Sequence, residues 1–182
     1  MGPAAWPHDC ALYPGACYNG HVHVYVDQSG KIEDTATDTA LAFSDGQSCA
    51  ILIPAGVKRD CLTALRTRGK TGQHIYRLLF GVGLFYLLKD HLHALSSITV
   101  DTEYVGHDAA IKGHLLDLLR RADLRVQPEI IWFQRIHQGG KQPRAHNRAY
   151  ATHKRAVQAD RVLTVGDLLA QIRSREKDRR LL

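Results

Sequence analysis

Two short apolar segments that each lead into an aspartate constrain the fold of this chain more than any other feature. The first is Val-Tyr-Val-Asp at residues 24–27, and the second is Ile-Thr-Val-Asp at residues 98–101. Both predict strands, so Asp27 and Asp101 are expected at strand ends. Rigid strand ends hold carboxylates at a sheet edge, where a hard cation such as Mg²⁺ takes oxygen ligands. Aspartate also begins turns, so either segment alone is compatible with a purely structural role.

The remaining patterns predict an α/β fold. Residues 39–43 and 48–53 predict strands joined by a turn that contains Asp45-Gly46, a dipeptide typical of hairpins. A fifth strand is predicted at residues 129–136. Helical spacing runs through Leu62 and Leu65 and then covers residues 75–95, 109–121, 147–157 and 165–173. The order βββ-α-β-α-β-α predicts an antiparallel meander beside parallel crossovers, which is a mixed five-stranded sheet flanked by helices.

Length and charge narrow the class of protein. We expect an irregular arm over residues 1–20, one domain over 21–160, and a C-terminal helix with a charged tail over 161–182. The net charge of +6 favours a polyanionic partner, with nucleic acid ahead of a membrane surface. The longest apolar stretch, residues 78–88, is too short to span a bilayer, and no leader pattern precedes it. We therefore expect a cytoplasmic protein without membrane contact, and nothing in the sequence specifies its oligomeric state.

The cysteines do not predict a zinc site. Their spacings match no common zinc pattern, although a cluster of Cys and His near the N-terminus offers metal-binding side chains. The cluster comprises His8, Cys10, Cys17, His21 and His23. The two last histidines alternate with valines, which favours the polar face of a strand instead.

With this order of elements the chain resembles the ribonuclease H-like superfamily, which carries a catalytic aspartate on its first strand. Asp-Thr-Glu-Tyr-Val at residues 101–105 is similar to the Asp-Ser-x-Tyr-Val motif of the family's fourth strand. Residues 131–139 resemble its Trp-bearing fifth strand and the His-x-Gly loop that follows. Asn147, followed by His-Lys-Arg-Ala at residues 153–156, resembles the last active-site helix. The likeness covers roughly residues 21–160.

The resemblance implies a metal-dependent nuclease that uses Mg²⁺ or Mn²⁺, with the RNA strand of an RNA–DNA hybrid as one substrate. The implied catalytic residues are Asp27, Asp101, His153 and His137. The implied metal ligands are Asp27, Asp101, His153 and Glu103, with Glu33 as an alternative to Glu103. His137 would assist proton transfer or product departure.

The chain also departs from the family. No glutamate occurs in residues 57–95, and Arg77 falls where the family has a catalytic glutamate. A cation at that position would repel a metal ion. The aspartate of the last helix is replaced by Ala151 or His153, depending on the alignment, and oxygen suits magnesium better than imidazole does. The alternative is therefore a catalytically impaired ribonuclease H-like domain that binds nucleic acid or another protein.

Basic residues after the fifth strand are candidates for phosphate contacts. The predicted nucleic-acid-binding residues are Lys141, Arg144, Asn147, Arg148, Lys154 and Arg155. A solvated charged face is the structural alternative. Trp132 and Phe133 can stack on bases, whereas residues of this kind on a central strand belong to the core more often.

Overall fold

The computed structural model describes residues 22–45, 47–135 and 144–179, with side chains described to residue 172. The predicted arm over residues 1–20 and the predicted site residues His137 and Lys141 lie outside this part of the chain. The strands are β1 Val22–Ser29, β2 Thr39–Ser44, β3 Cys49–Ile53, β4 Leu95–Asp101, β5 Ile131–Gln134 and β6 Arg161–Val162. The α-helices are α1 Ala55–Thr67, α2 His74–Leu88, α3 Asp108–Arg121, α4 Arg144–His153 and α5 Val165–Arg179.

The strands form one mixed sheet in the order β5-β4-β1-β2-β3-β6. β1, β2 and β3 are an antiparallel meander, while β4 lies parallel to β1 and β5 parallel to β4. The predicted α/β class, with a mixed sheet and flanking helices, is therefore confirmed.

The prediction of five strands is wrong, because the described residues form six. β6 is two residues long and pairs in parallel with Ile51 and Leu52 of β3. A strand this short has no alternation that a pattern can detect. It exists because the backbone around it bonds to β3, through the amides of Asp160 and Leu163 and the carbonyls of Ala50 and Leu52.

The two faces of the sheet are covered differently. Val26 and Val100 point to the main core, on the side of the sheet where Gly83 of α2 packs against Leu41. A Cβ at position 83 would come within 2.7 Å of Leu41 Cδ1, so glycine permits this close packing. Helix α4 covers the opposite face over β1, β2 and β3. There Ala42, Ala50 and Ala149 form a small buried cluster, and their short side chains let α4 lie close to the sheet.

Several boundaries differ from the predicted ones for local reasons. β5 begins at Ile131 rather than 129, because Pro128–Ile130 form a 3₁₀ turn and proline cannot donate to a strand ladder. α4 begins at Arg144 and ends at His153, before the predicted residue 157. Arg155 has φ 56°, a left-handed conformation that ends helices.

The C-terminal segment packs into the same core as the sheet. Leu163, Leu168, Leu169 and Ile172 are all buried in the main cluster. Thr164 caps α5, because its hydroxyl accepts a hydrogen bond from the Asp167 amide while the Asp167 carboxylate accepts one from the Thr164 amide. None of the described helices is both long enough and apolar enough to cross a membrane.

Candidate metal centre

Asp27 and Asp101 lie beside each other on neighbouring parallel strands. Val26 of β1 pairs with Val100 of β4, so the residue after each follows at the same level of the sheet. Because side chains alternate along a strand, both aspartates point away from the main core toward the face that bears α4. The predicted adjacency is confirmed. One detail differs: β1 does not end at Asp27 but continues to Ser29, paired with β2.

Glu103 completes a group of three carboxylates. It follows β4, and one oxygen of each of Asp27, Asp101 and Glu103 lies within 4.8 Å of the other two. Asp27 is 3% exposed and Asp101 is 7% exposed. Acidic side chains are almost never buried this far without a partner or a metal ion, so this group is the candidate metal centre.

The loop that carries Glu103 is fixed by its neighbour Tyr104. The Tyr104 ring packs on Phe80 of α2 with a centroid distance of 5.4 Å. Its hydroxyl donates a 3.0 Å hydrogen bond to the exposed Glu33 carboxylate. The sequence offered two glutamates as a third acidic ligand. Glu103 lies beside Asp27 and Asp101, whereas the Glu33 carboxylate accepts the hydrogen bond from Tyr104.

The electrostatics of the group favour a positive partner. Burial raises the pKa of Asp27, opposed by a 2.6 Å hydrogen bond from the Gln28 amide and by His146. Burial, followed by repulsion from Asp101 and Asp27, raises the pKa of Glu103 to about 7. Repulsion from the two aspartates thus adds to burial in disfavouring the ionised form of Glu103, and a cation at this point would relieve it.

His146 is a site residue that the sequence patterns did not predict. Its Nδ1 lies 2.9 Å from Asp27 Oδ2, on the face of α4 that covers β1. His153, the predicted ligand, is seven residues further along and belongs to the same side of the helix. The spacing of seven residues was the sequence signal for His146, because a helix that turns one of these histidines toward the sheet turns the other toward it too.

His153 has a different neighbourhood. Its Nδ1 donates a 3.0 Å hydrogen bond to the carbonyl oxygen of Asp38. Gly30, with φ 74°, packs directly under the ring, and a Cβ there would lie 2.7 Å from it. His153 is not a member of the three-carboxylate group, so the structure assigns the imidazole beside Asp27 to His146.

Arg77, which stands where the resemblance expects a glutamate, is half-buried in α2. The charged groups that act most strongly on Glu103 are Asp101, Asp27, Lys31 and Glu33, and those that act most strongly on Asp27 are His146 and Asp101. Repulsion of a metal ion by Arg77 is therefore not a leading feature of this site.

The predicted nucleic-acid-binding residues divide into two kinds. Arg148 forms an ion pair with Asp160 at 2.9 Å, and Arg155 forms one with Asp38 at 2.8 Å. By contrast, Arg144, Asn147 and Lys154 are exposed on or just after α4. The last three are the better placed for contacts with a polyanion, because part of the charge of the paired arginines is already compensated.

The arrangement can hold a hard divalent cation. Three carboxylates supply oxygen ligands of the type that Mg²⁺ and Mn²⁺ prefer, and the adjacent imidazole orients one of them. No family model, no curated protein and no solved structure matches this chain. Its function must therefore be argued from the geometry of this site.

Proposed function

We propose that this chain is a metal-dependent nuclease of the ribonuclease H-like kind, which hydrolyses phosphodiester bonds with Mg²⁺ or Mn²⁺. The observation that carries the proposal is the mutual approach of Asp27, Asp101 and Glu103, whose carboxylate oxygens all lie within 4.8 Å of one another. The residues fit the ion because all three donors are hard oxygens, and because burial, together with repulsion from Asp101 and Asp27, raises the pKa of Glu103 to about 7.

Each residue has a distinct part in the proposed chemistry. Asp27, Asp101 and Glu103 would hold the ion, which acts as a Lewis acid and lowers the pKa of bound water. His146 orients Asp27 through its 2.9 Å hydrogen bond to Oδ2. A hydrogen-bond partner of this kind fixes the orientation of a metal ligand, and its loss commonly lowers metal affinity or activity by about 10- to 100-fold.

The topology supports the ribonuclease H-like part of the proposal. A three-stranded meander, with parallel β4 and β5 beside β1, is the arrangement that the order of elements predicted. The first strand bears Asp27, and helix α4, which packs on the face of the sheet where Asp27 points, brings the His146 side chain to it. In this proposal the histidine of the site is His146 rather than His153, and it orients Asp27 instead of binding the ion. The net charge of +6 favours nucleic acid as substrate, including an RNA–DNA hybrid.

A conservative substitution tests the proposal. Asp27→Asn removes a ligand charge at nearly constant shape, and we expect it to lower Mn²⁺-dependent cleavage of hybrid, RNA and DNA oligonucleotides by at least about 100-fold. Asp60→Asn, at an exposed position of α1, is the matched control and should retain activity. Mn²⁺ binding followed by electron paramagnetic resonance should be weakened only in Asp27→Asn. Cleavage that persists in both EDTA and the Asp27→Asn protein would refute the mechanism.

A second candidate is a ribonuclease H-like domain that binds nucleic acid without cleaving it. His146 favours this candidate, because its imidazole already gives Asp27 a hydrogen-bond partner at 2.9 Å without a metal ion. Such a protein would bind nucleic acid with an affinity that falls linearly on a log–log salt plot. It would not bind Mn²⁺ at the three carboxylates. Replacing Arg144 and Lys154 by alanine should reduce the salt slope more than replacing the ion-paired Arg148 and Arg155.

A further inference from the structure

Two rows of side chains cross β1, β4 and β5 on the face that bears the carboxylates. The register of the three strands defines them, because paired residues on neighbouring strands point to the same side. The first row consists of Asp27, Asp101 and Gln134, and the second consists of Tyr25, Thr99 and Trp132. The acidic site therefore adjoins a row that begins and ends with an aromatic side chain.

Trp132 is the exposed end of the second row. β5 is an edge of the described sheet, and the exposed fraction of Trp132 is 58%. Its neighbour Phe133 packs against the main core, so the alternation of the strand directs the indole to the opposite face. Trp132 therefore contributes little to the core, and the tryptophan-bearing run at this position is not explained by packing alone.

A cation accompanies the indole. The Lys112 ammonium lies 5.9 Å from the centroid of the Trp132 ring. An aromatic face for a base, with a nearby ammonium for a phosphate, is the combination by which proteins bind single-stranded nucleic acid. The positive charge of the chain agrees with the same ligand.

The distance between the two rows suits a polynucleotide. Successive residues on one face lie two positions apart at about 3.3 Å each, and neighbouring strands are about 4.8 Å apart. The Cα atoms of Trp132 and Asp101 are therefore separated by roughly 8 Å. That separation is short enough for one strand to lie across both rows.

We infer that Trp132 is a stacking platform for an unpaired base of single-stranded nucleic acid, with Lys112 beside it for a backbone phosphate. The inference rests on the proposed function, because the bound strand would lead from Trp132 to the carboxylates. It adds the ligand class at this end of the site, which is a stretch of strand whose bases are free to stack, so that a hybrid would reach Trp132 only through an unpaired overhang.

The chain supplies a matched control for the aromatic surface. Tyr150 on α4 is 52% exposed, and the Lys154 ammonium lies 5.7 Å from its ring centroid. It has the same chemistry as Trp132 and Lys112 but does not belong to either row. Tyr150→Ala therefore removes an exposed aromatic group with a neighbouring lysine at a position where no stacking is expected.

Fluorescence isolates the proposed contact. The chain has two tryptophans, Trp6 and Trp132, so in a Trp6→Phe protein the emission reports on Trp132 alone. In EDTA at low salt, which prevents metal-dependent cleavage, a short oligothymidylate should quench this emission. An abasic oligomer with the same phosphate backbone should bind more weakly and should not quench it.

Affinities measured by anisotropy complete the test. Trp132→Ala should weaken oligothymidylate binding roughly 5- to 150-fold, the effect of one stacked base, whereas Trp132→Phe should retain most of the affinity and Tyr150→Ala all of it. Equal small effects of Trp132→Ala and Tyr150→Ala, with binding intact, would overturn the stacking inference and leave the nuclease proposal standing. A Trp132→Ala protein that binds oligothymidylate normally and differs from the wild type only in self-association, measured by sedimentation, would likewise overturn the stacking inference alone. Failure of the wild-type protein to bind any oligonucleotide would overturn both.

Discussion

Two places in the described part of the chain bury charged side chains, and they are arranged in opposite ways. Lys58 of α1 has no exposed surface. Its ammonium donates to the carbonyl oxygens of Lys31 and Asp34 and, at 2.8 Å, to the hydroxyl of Thr39. An ammonium has three donors, and each has an acceptor here. Lys58 therefore ties α1 to the β1–β2 connection and to the first residue of β2.

The acidic site gathers like charges instead. Asp27, Asp101 and Glu103 approach one another within 4.8 Å, and repulsion from the two aspartates contributes to the raised pKa of Glu103. Folding thus gives one buried charge a full set of protein acceptors and leaves the other group in mutual repulsion. A ligand can relieve the repulsion among these carboxylates, which costs the protein stability in the absence of that ligand. Functional sites commonly trade stability for activity in this way.

The largest expected effect on stability is at Lys58. Lys58→Met keeps the stem of the side chain but leaves buried acceptors without their donor, and we expect a loss of about 3 kcal/mol in the free energy of unfolding. Urea denaturation measures it. Lys89→Met is the control, because the Lys89 ion pair with Asp90 lies at the surface and such pairs contribute at most about 1 kcal/mol. Equal losses in the two variants would mean that the buried contacts of Lys58 contribute no more to stability than a surface ion pair.

Glu103→Gln, unlike Lys58→Met, should raise the free energy of unfolding at pH 7.5. With the pKa of Glu103 raised from 4.5 to about 7, the folded state binds more protons than the unfolded state between these values. Stability of the wild-type protein therefore falls as the pH rises from 4.5 to 7. Glu103→Gln lacks this loss and should be more stable than the wild type at pH 7.5 by about 1–3 kcal/mol, at about 1.4 kcal/mol per pKa unit.

The matched control for Glu103→Gln is Glu129→Gln, at an exposed position before β5, which should leave the stability unchanged. The same Glu103→Gln protein should bind Mn²⁺ more weakly than the wild type and gain less thermal stability from it. A Glu103→Gln protein that is destabilised and binds Mn²⁺ normally would mean that the carboxylate is a structural element like Lys58, and the comparison would fail.

The smallest expected effect is the pH dependence at Lys58. Burial lowers the pKa of Lys58 from 10.5 to about 8, although Asp34 and Asp38 act in the other direction. Above the lower value the unfolded state binds more protons, so stability attributable to this residue rises with pH. Between pH 8 and 9 we expect a gain of about 1 kcal/mol in wild type relative to Lys58→Met. Parallel stability curves for the two proteins in this window would contradict it.

Sequence patterns alone predicted the class of the sheet and the meeting of two aspartates. Alternation along residues 24–27 and 98–101 fixes which side chains share a face. The connection between two parallel strands of one sheet brings their carboxyl ends to the same edge. These are local rules, so they hold without knowledge of the remaining packing. The two-residue β6 and the exact ends of α4 escaped prediction because neighbouring backbone bonds define them.

Tertiary structure alone decided which side chains complete the acidic site. Burial of Ala145, Ala149 and Thr152 fixes the rotation of α4 about its axis, which turns both His146 and His153 toward the sheet. The position of α4 along its axis then places His146 at Asp27 and His153 at the Asp38 carbonyl. The loop after β4 delivers Glu103 because Tyr104 packs on Phe80. Sequence supplied all of these residues and their local spacing. The distance between groups far apart in the chain, and hence the repulsion that raises the pKa of Glu103, exists only once the helices and the sheet have packed.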